Sequence, residues 1–165
     1  MEQNLKFHIK SFDELTTTEL YQILQLRNEI FVVEQDVVYQ DADGKDYVAL
    51  HVFLKDKDKI IAYIRICKPG DYFKNACIGR VVTHPAYRRK GIGNKIVQKG
   101  IDIITREMKA DVIEISAQKY LLQFYNDLGF KEEGEEYLED GLPHFRMFYK
   151  KNYLWKSTEL TVIKH

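Results

Sequence analysis

Apolar and polar residues alternate at the start of the chain. Leu5, Phe7 and Ile9 follow the period of a half-buried strand over residues 5–10. The period then lengthens. Leu20, Ile23, Leu24, Arg27, Ile30 and Phe31 share one helical stripe with a single cation in it. Thr18 or one of its neighbours is the expected N-cap, and the run from Ile30 to Gln35 closes the helix. Two β-branched runs, 47–55 and 60–67, flank the charged turn Asp56-Lys57-Asp58-Lys59 and predict a β-hairpin. A fourth strand follows over residues 76–83. Pro85 ends it, because proline cannot donate to a sheet ladder. Helical spacing returns at Ile92, Ile96, Val97, Ile101, Ile104 and Met108, and predicts a helix over residues 92–109. A fifth strand at 112–117 completes a crossover, which generally joins parallel strands. Another helix is expected at 119–128, with Gly129 as its C-cap. Residues 130–133, 136–138 and 145–149 are further strand candidates, and Glu139 to Pro143 is a turn. The tail, 152–165, either adds a short strand or frays. This order describes an α/β fold, a mixed sheet with helices on its faces.

Composition narrows the class. At 165 residues and 45% hydrophobic content the chain can bury one sizeable core, so a single domain over 1–165 is expected. Twenty-five basic and 25 acidic residues cancel, which argues against a general nucleic-acid binder. Cys67 and Cys77 are too few for a disulfide framework and read as free thiols. No apolar run approaches the ~18–20 residues of a membrane span. The N-terminus lacks the apolar centre of a signal peptide, so no membrane partner and a cytoplasmic location are expected. The acidic stretch from Tyr39 to Asp46 invites a calcium assignment. In EF-hand register, however, Tyr39 would hold the first ligand position and Leu50 the last, so no metal is assigned. That stretch reads instead as a connection or the wall of a polar pocket.

Between the fourth strand and its helix lies Arg88-Arg89-Lys90-Gly91-Ile92-Gly93. Its glycines allow a tight turn and close approach by a ligand. A helix N-terminus supplies unpaired amides, and three cations stand beside them, so the segment reads as a phosphate cradle. It is not a dinucleotide fingerprint, because Ile96 stands where a third glycine belongs. No Gly-Lys-Ser/Thr follows, so it is not a P-loop.

Arg88-x-x-Gly91-x-Gly93, after a strand ending Val82-Thr83-His84-Pro85, resembles the acetyl-CoA loop of the GNAT superfamily of N-acetyltransferases. Phe124-Tyr125-Asn126-Asp127-Leu128-Gly129-Phe130 resembles a second segment of that superfamily, which also follows its fifth strand. Phe31-Val32-Val33-Glu34-Gln35, Tyr39, Asp43, Asp46, His51, Ile78 to Val82 and Tyr137 to His144 are similar to the ElaA-type branch. The resemblance runs from Phe7 to about Tyr149.

This resemblance implies a GNAT-like fold: a mixed, mostly antiparallel sheet with helices on both faces, its fourth and fifth strands splayed to admit acetyl-CoA. It implies transfer of an acetyl group from acetyl-CoA to a primary amine of a small molecule or peptide, by direct attack. The cofactor residues it implies are the exposed backbone of Val81, Val82 and Thr83 for pantetheine. For the pyrophosphate they are the cradle of Arg88, Arg89, Lys90, Gly91, Ile92, Gly93 and Asn94. Gln118 stands where many members carry asparagine, which leaves its cofactor contact open. Tyr125 would protonate the departing thiolate or stabilise it by a hydrogen bond. The acceptor amine needs a base, and Glu34, Glu114, Glu139 and His144 are all candidates. Arg65 and Arg80 lie in apolar strands and are expected to pair with Glu34 or Glu114, or to meet an acid group of the acceptor. The superfamily often dimerises. A non-catalytic acyl-CoA-binding module is the alternative, since it would keep the same cradle.

Overall fold

The computed structural model describes residues 4–151. Eight strands form one sheet: β1 Leu5–Ser11, β2 Leu50–Asp56, β3 Lys59–Cys67, β4 Ala76–Thr83, β5 Val112–Gln118, β6 Lys131–Glu132, β7 Tyr137–Glu139 and β8 Leu142–Lys150. Their order is β1-β2-β3-β4-β5-β8-β6, with β7 paired to β8. All neighbours are antiparallel except β4 and β5, which the helical crossover makes parallel.

Helices cover both faces. Helix α2, Ile92–Asp102, continues through a π-helical turn, Ile103–Glu107. Its apolar stripe packs on Val52, Leu54, Ile64, Ile66 and Ile78. A Cβ on Gly100 would lie 2.6 Å from Cδ1 of Ile64, so the missing side chain lets this helix settle onto the sheet. Helix α1, Thr17–Arg27, packs on the opposite face against Phe53, Tyr63 and Val82. The middle strand β3 is therefore covered on both sides, which is why it reads as an unbroken apolar run. The last helix, α3, is Leu122–Asp127, preceded by a 3₁₀ turn at Lys119–Leu121.

Several boundaries differ from the sequence expectation. The N-cap of α1 is Thr16, because Glu19, three residues on, completes a reciprocal capping box with it. The first helix does end within the run from Ile30 to Gln35, but not as an α-helix beyond Arg27. It widens into a π-helical turn over Asn28–Glu34, closed by the Gln35 amide on the Ile30 carbonyl at 3.2 Å. Strand β2 begins at Leu50, since Lys45–Tyr47 forms a 3₁₀ turn that tucks the Asp46 carboxylate inward. The tail expectation for 152–165 lies outside the described residues.

Arg65 and Arg80 do not pair with Glu34 or Glu114. Their partners come from the acidic stretch. Arg65 reaches Asp43 at 2.8 Å and Asp46 at 3.1 Å, and Arg80 reaches Asp41 at 2.8 Å. Arg27, the cation in the stripe of α1, is fully buried and holds Asp41 at 2.8 Å and Asp46 at 2.7 Å. Three guanidinium groups thus meet three carboxylates, and charge balances inside the protein. His51 completes the network. Nε2 donates to the Asp46 carbonyl at 2.9 Å, so Nδ1 accepts from Tyr63 at 2.7 Å. Burial depresses its basicity and keeps that ring neutral.

One irregularity shapes the site. The register of β3 on β4 shifts between Arg65↔Gly79 and Tyr63↔Val82, a bulge in β4. Arg80 occupies it with φ 52°, a left-handed conformation unusual for a side-chain-bearing residue. Bulges bend a strand and sharpen its twist. Strands β4 and β5 pair only at Ala76↔Ile113 and Cys77↔Glu114, and beyond these rungs they part.

Candidate active site

The parting opens a cleft of about 1060 Å³. Its walls are β4 from Ile78 to Thr83, the end of β5, the N-terminus of α2, the end of the first helix and the β7–β8 turn. Of the residues expected to hold the cofactor, Val81, Val82, Thr83, Arg88, Arg89, Gly91, Ile92, Gly93, Asn94 and Gln118 line it. Lys90 does not, and its ammonium lies over the Tyr87 ring, 5.4 Å from the centroid.

The cradle has a simple local origin. Pro85–Tyr87 forms a 3₁₀ turn that lifts the chain off β4. Arg89 at φ 62° and Gly91 at φ 74° then wind the loop into the helix. Gly91 is the N-cap of α2 and offers no side-chain cap, and the first turn contains no acid. The first amides of the helix therefore keep their donors for an incoming anion. A Cβ on Gly91 would meet nothing within 4 Å, so this glycine serves backbone conformation and open space rather than packing.

Tyr125 lines the cleft floor and is buried. Its position follows from the end of α3. The Gly129 amide donates to the Asn126 carbonyl and the Phe130 amide to the Tyr125 carbonyl, each at 3.0 Å, a Schellman cap. The rings of Phe124 and Phe130 pack edge-on against Tyr125 at 5.0 and 5.8 Å. Burial pushes the phenol well above its ordinary range, and neighbouring Tyr120 adds to this. Such a hydroxyl donates a hydrogen bond but surrenders its proton poorly.

The candidate bases separate. Residues 114, 116 and 118 of β5 lie on one face, opposite Phe148, Arg146 and His144 of β8. Glu114 is the member farthest from the open end. It lies off the cleft wall, ion-paired to Arg146 and accepting from Asn75 at 3.3 Å. His144 sits at the open end beside Gln118 and lines the cleft with Glu139. Its Nδ1 lies 2.7 Å from the Leu142 carbonyl, which can only accept, so Nδ1 carries hydrogen. Nε2 then faces Oε2 of Glu139 at 3.2 Å.

Ser116 donates to the same Glu139 oxygen at 3.2 Å and is itself hydrogen-bonded to the Tyr137 hydroxyl. Ser116 is not singled out by the sequence, and Tyr137 only as part of the ElaA-like segment, without a role. The one local signal for Ser116 was the alternation Ile113-Glu114-Ile115-Ser116-Ala117, which puts it on the face of Glu114. Both close contacts occupy Oε2, and among the described residues no hydrogen bond is recorded to Oε1. Glu34, the fourth candidate, stands at the cleft mouth and pairs with Arg88 at 2.8 Å. Its neighbour Gln35 accepts from Gln118 at 3.2 Å across the opening.

Comparison with known proteins agrees with this geometry. A family model described as an acetyltransferase (GNAT) domain matches residues 21–151. Protein ElaA of Escherichia coli K12 is 38% identical over 136 residues, which cover 81% of this chain and 89% of that protein. The crystal structure of Escherichia coli ElaA is similar with a TM-score of 0.83 at 34% identity, over 88% of this chain and 99% of that one. An acyl-CoA N-acyltransferase from Pseudomonas aeruginosa is similar with a TM-score of 0.82 at 36% identity, over 87% and 99%. The chain belongs to the GNAT acetyltransferase family, in its ElaA-type branch.

Proposed function

We propose that this chain transfers an acetyl group from acetyl-CoA to a primary amine of a small molecule or peptide. One observation carries the reading: β4 leaves β5 after two rungs, and the gap opens beside an uncapped helix N-terminus flanked by Arg88 and Arg89. Such a gap suits an extended, amide-bearing arm ending in a diphosphate. The free amides of α2 and the two guanidinium groups hold the diphosphate. Lys90 stays out of this set.

His84 donates its amide to the Ile61 carbonyl of β3 at 2.8 Å. Strand alternation then turns the amides of Thr83 and Val81 toward the open side, where they bind pantetheine and the thioester oxygen. Acetyl-CoA supplies an activated thioester: the amine nitrogen bonds to its carbonyl carbon, the carbon–sulfur bond breaks, and the electron pair leaves on sulfur. Tyr125 steadies that sulfur with a hydrogen bond. An alkylamine resembles lysine, with a pKa of about 10.4, and arrives protonated. Oε1 of Glu139 receives the proton, while His144 and Ser116 hold the other carboxylate oxygen in place and Tyr137 holds Ser116.

The experiment is calorimetric titration with coenzyme A, followed by thiol release from acetyl-CoA across a panel of primary amines. Binding and amine-dependent release are expected. Binding without release on any amine favours the non-catalytic module, and absence of binding removes the reading.

A further inference from the structure

We propose that Glu34 is a receptor for the acceptor's ammonium group, masked by Arg88 and unmasked when a diphosphate takes that arginine. The inference rests on the acyl-CoA reading above.

Glu34 ends the π-helical turn and Arg88 opens the phosphate loop, so the pair spans the cleft mouth. One guanidinium nitrogen of Arg88 donates to both Glu34 oxygens, at 2.8 and 3.0 Å. Both side chains are over 40% exposed, at 41% and 44%. A pair this wet is worth little, so a stronger anion displaces the carboxylate easily. A diphosphate carries more charge and more acceptor oxygens than one carboxylate, and it draws on the neighbouring helix amides as well.

Displacement leaves Glu34 in an unusual position. A carboxylate at the carbonyl end of a helix is disfavoured without a cation nearby. Arg88 now supplies that cation, and among the described residues Glu34 has no other ion-pair partner. Once Arg88 turns to the diphosphate, a protonated amine is the complementary replacement. Glu34 lines the same cleft as Glu139 and His144, so a cation held there is already inside the space that the acceptor enters. A second contact makes the same connection. Gln35 accepts from Gln118, a residue of the cleft wall, so the end of the first helix is tied to both sides of the opening. An occupied cleft disturbs both ties together.

Calorimetry with coenzyme A on wild type, Glu34→Gln, Arg88→Ala and the double variant tests the masking. Glu34→Gln is expected to tighten coenzyme A about two- to fivefold. Arg88→Ala should weaken it about tenfold or more. In the Arg88→Ala background, Glu34→Gln should have no effect. A second titration uses n-butylammonium as a simple cation, followed by NMR shifts. It should bind wild type at least about threefold more tightly with coenzyme A than without. Glu34→Gln should abolish that difference. Unchanged or weaker coenzyme A binding by folded Glu34→Gln overturns the proposal, and so does butylammonium binding that ignores coenzyme A. Wild-type protein that fails to bind coenzyme A overturns the acyl-CoA reading and this inference together. Normal binding with no dependence on Glu34 overturns this inference alone.

Discussion

His144 donates from Nδ1 to the Leu142 carbonyl at 2.7 Å and is thereby committed to present Nε2 to Glu139, 3.2 Å away. Glu139 is half-exposed at the cleft while His144 is buried behind it. In the proposed reaction the histidine orients the carboxylate that meets the amine.

Removal of that carboxylate should slow the chemical step. Glu139→Gln keeps the shape and loses the basic oxygen, and kcat is expected to fall about 10²-fold with little change in coenzyme A affinity. The variant should recover as pH rises, because the free amine then forms without help. Initial rates from pH 6.5 to about 9.5 check this. A variant as fast as wild type at neutral pH removes Glu139 from the role.

Tyr125→Phe separates hydrogen bonding from proton donation. Burial has pushed the phenol up, so it stays protonated across the working range. The substitution should lower kcat about tenfold by a factor that does not vary with pH, and leave coenzyme A affinity within about twofold. A ratio of rates that changes between about pH 6 and 9 would show a titrating proton donor instead.

Gly91 tests the cradle. Asparagine tolerates its left-handed φ of 74° and a Cβ there meets nothing within 4 Å, so Gly91→Asn should fold and bind coenzyme A within about tenfold of wild type. Gly91→Glu adds negative charge where phosphate belongs, and affinity should drop more than about 10²-fold by calorimetry. Equal affinities for the two variants would place the diphosphate elsewhere.

The arginine–aspartate network predicts acid sensitivity. Burial opposes the charge on Asp43, but the Arg65 hydrogen bonds, the Lys45 amide and the nearby arginines outweigh it and hold the carboxyl at about 2, below its usual 3.8. A depressed carboxyl stabilises the fold above its unfolded value and loses that contribution as pH falls through the folded one. Wild-type melting temperature should therefore fall between about pH 4 and 2, on the order of 1 kcal/mol coming from this group after solvent screening. Asp46 shifts in the same direction, with burial again opposed by Arg27 and Arg65. Asp43→Asn should be less stable at pH 7 and less sensitive to acid. Parallel melting curves for the two proteins across that range would contradict the assignment.

Much of the site was legible because its parts are local. Gly91 and Gly93 open α2, and Gly129 caps α3 within a few residues of the tyrosine that cap positions. The bases were illegible for the opposite reason. Strand register decides which of Glu114, Glu139 and His144 face the opening, and the π-helical turn after α1 brings Glu34 to it; neither can be read from the residues themselves. The same holds for Arg65 and Arg80. Their partners Asp41 and Asp43 lie more than twenty residues away, in a stretch with no regular period to announce where its carboxylates point.

By itself the chain's pattern of residues determined the strands, the helices and the glycine loop with its flanking cations. Those follow from backbone period, glycine freedom and proline's missing donor, all of which act over a few neighbouring residues. Tertiary structure alone decided how far β4 stays beside β5, which acids reach the cleft, and which arginines are already paired. These depend on a bulge at Arg80 and on contacts between distant segments, whose geometry is set only once the sheet has closed around its core.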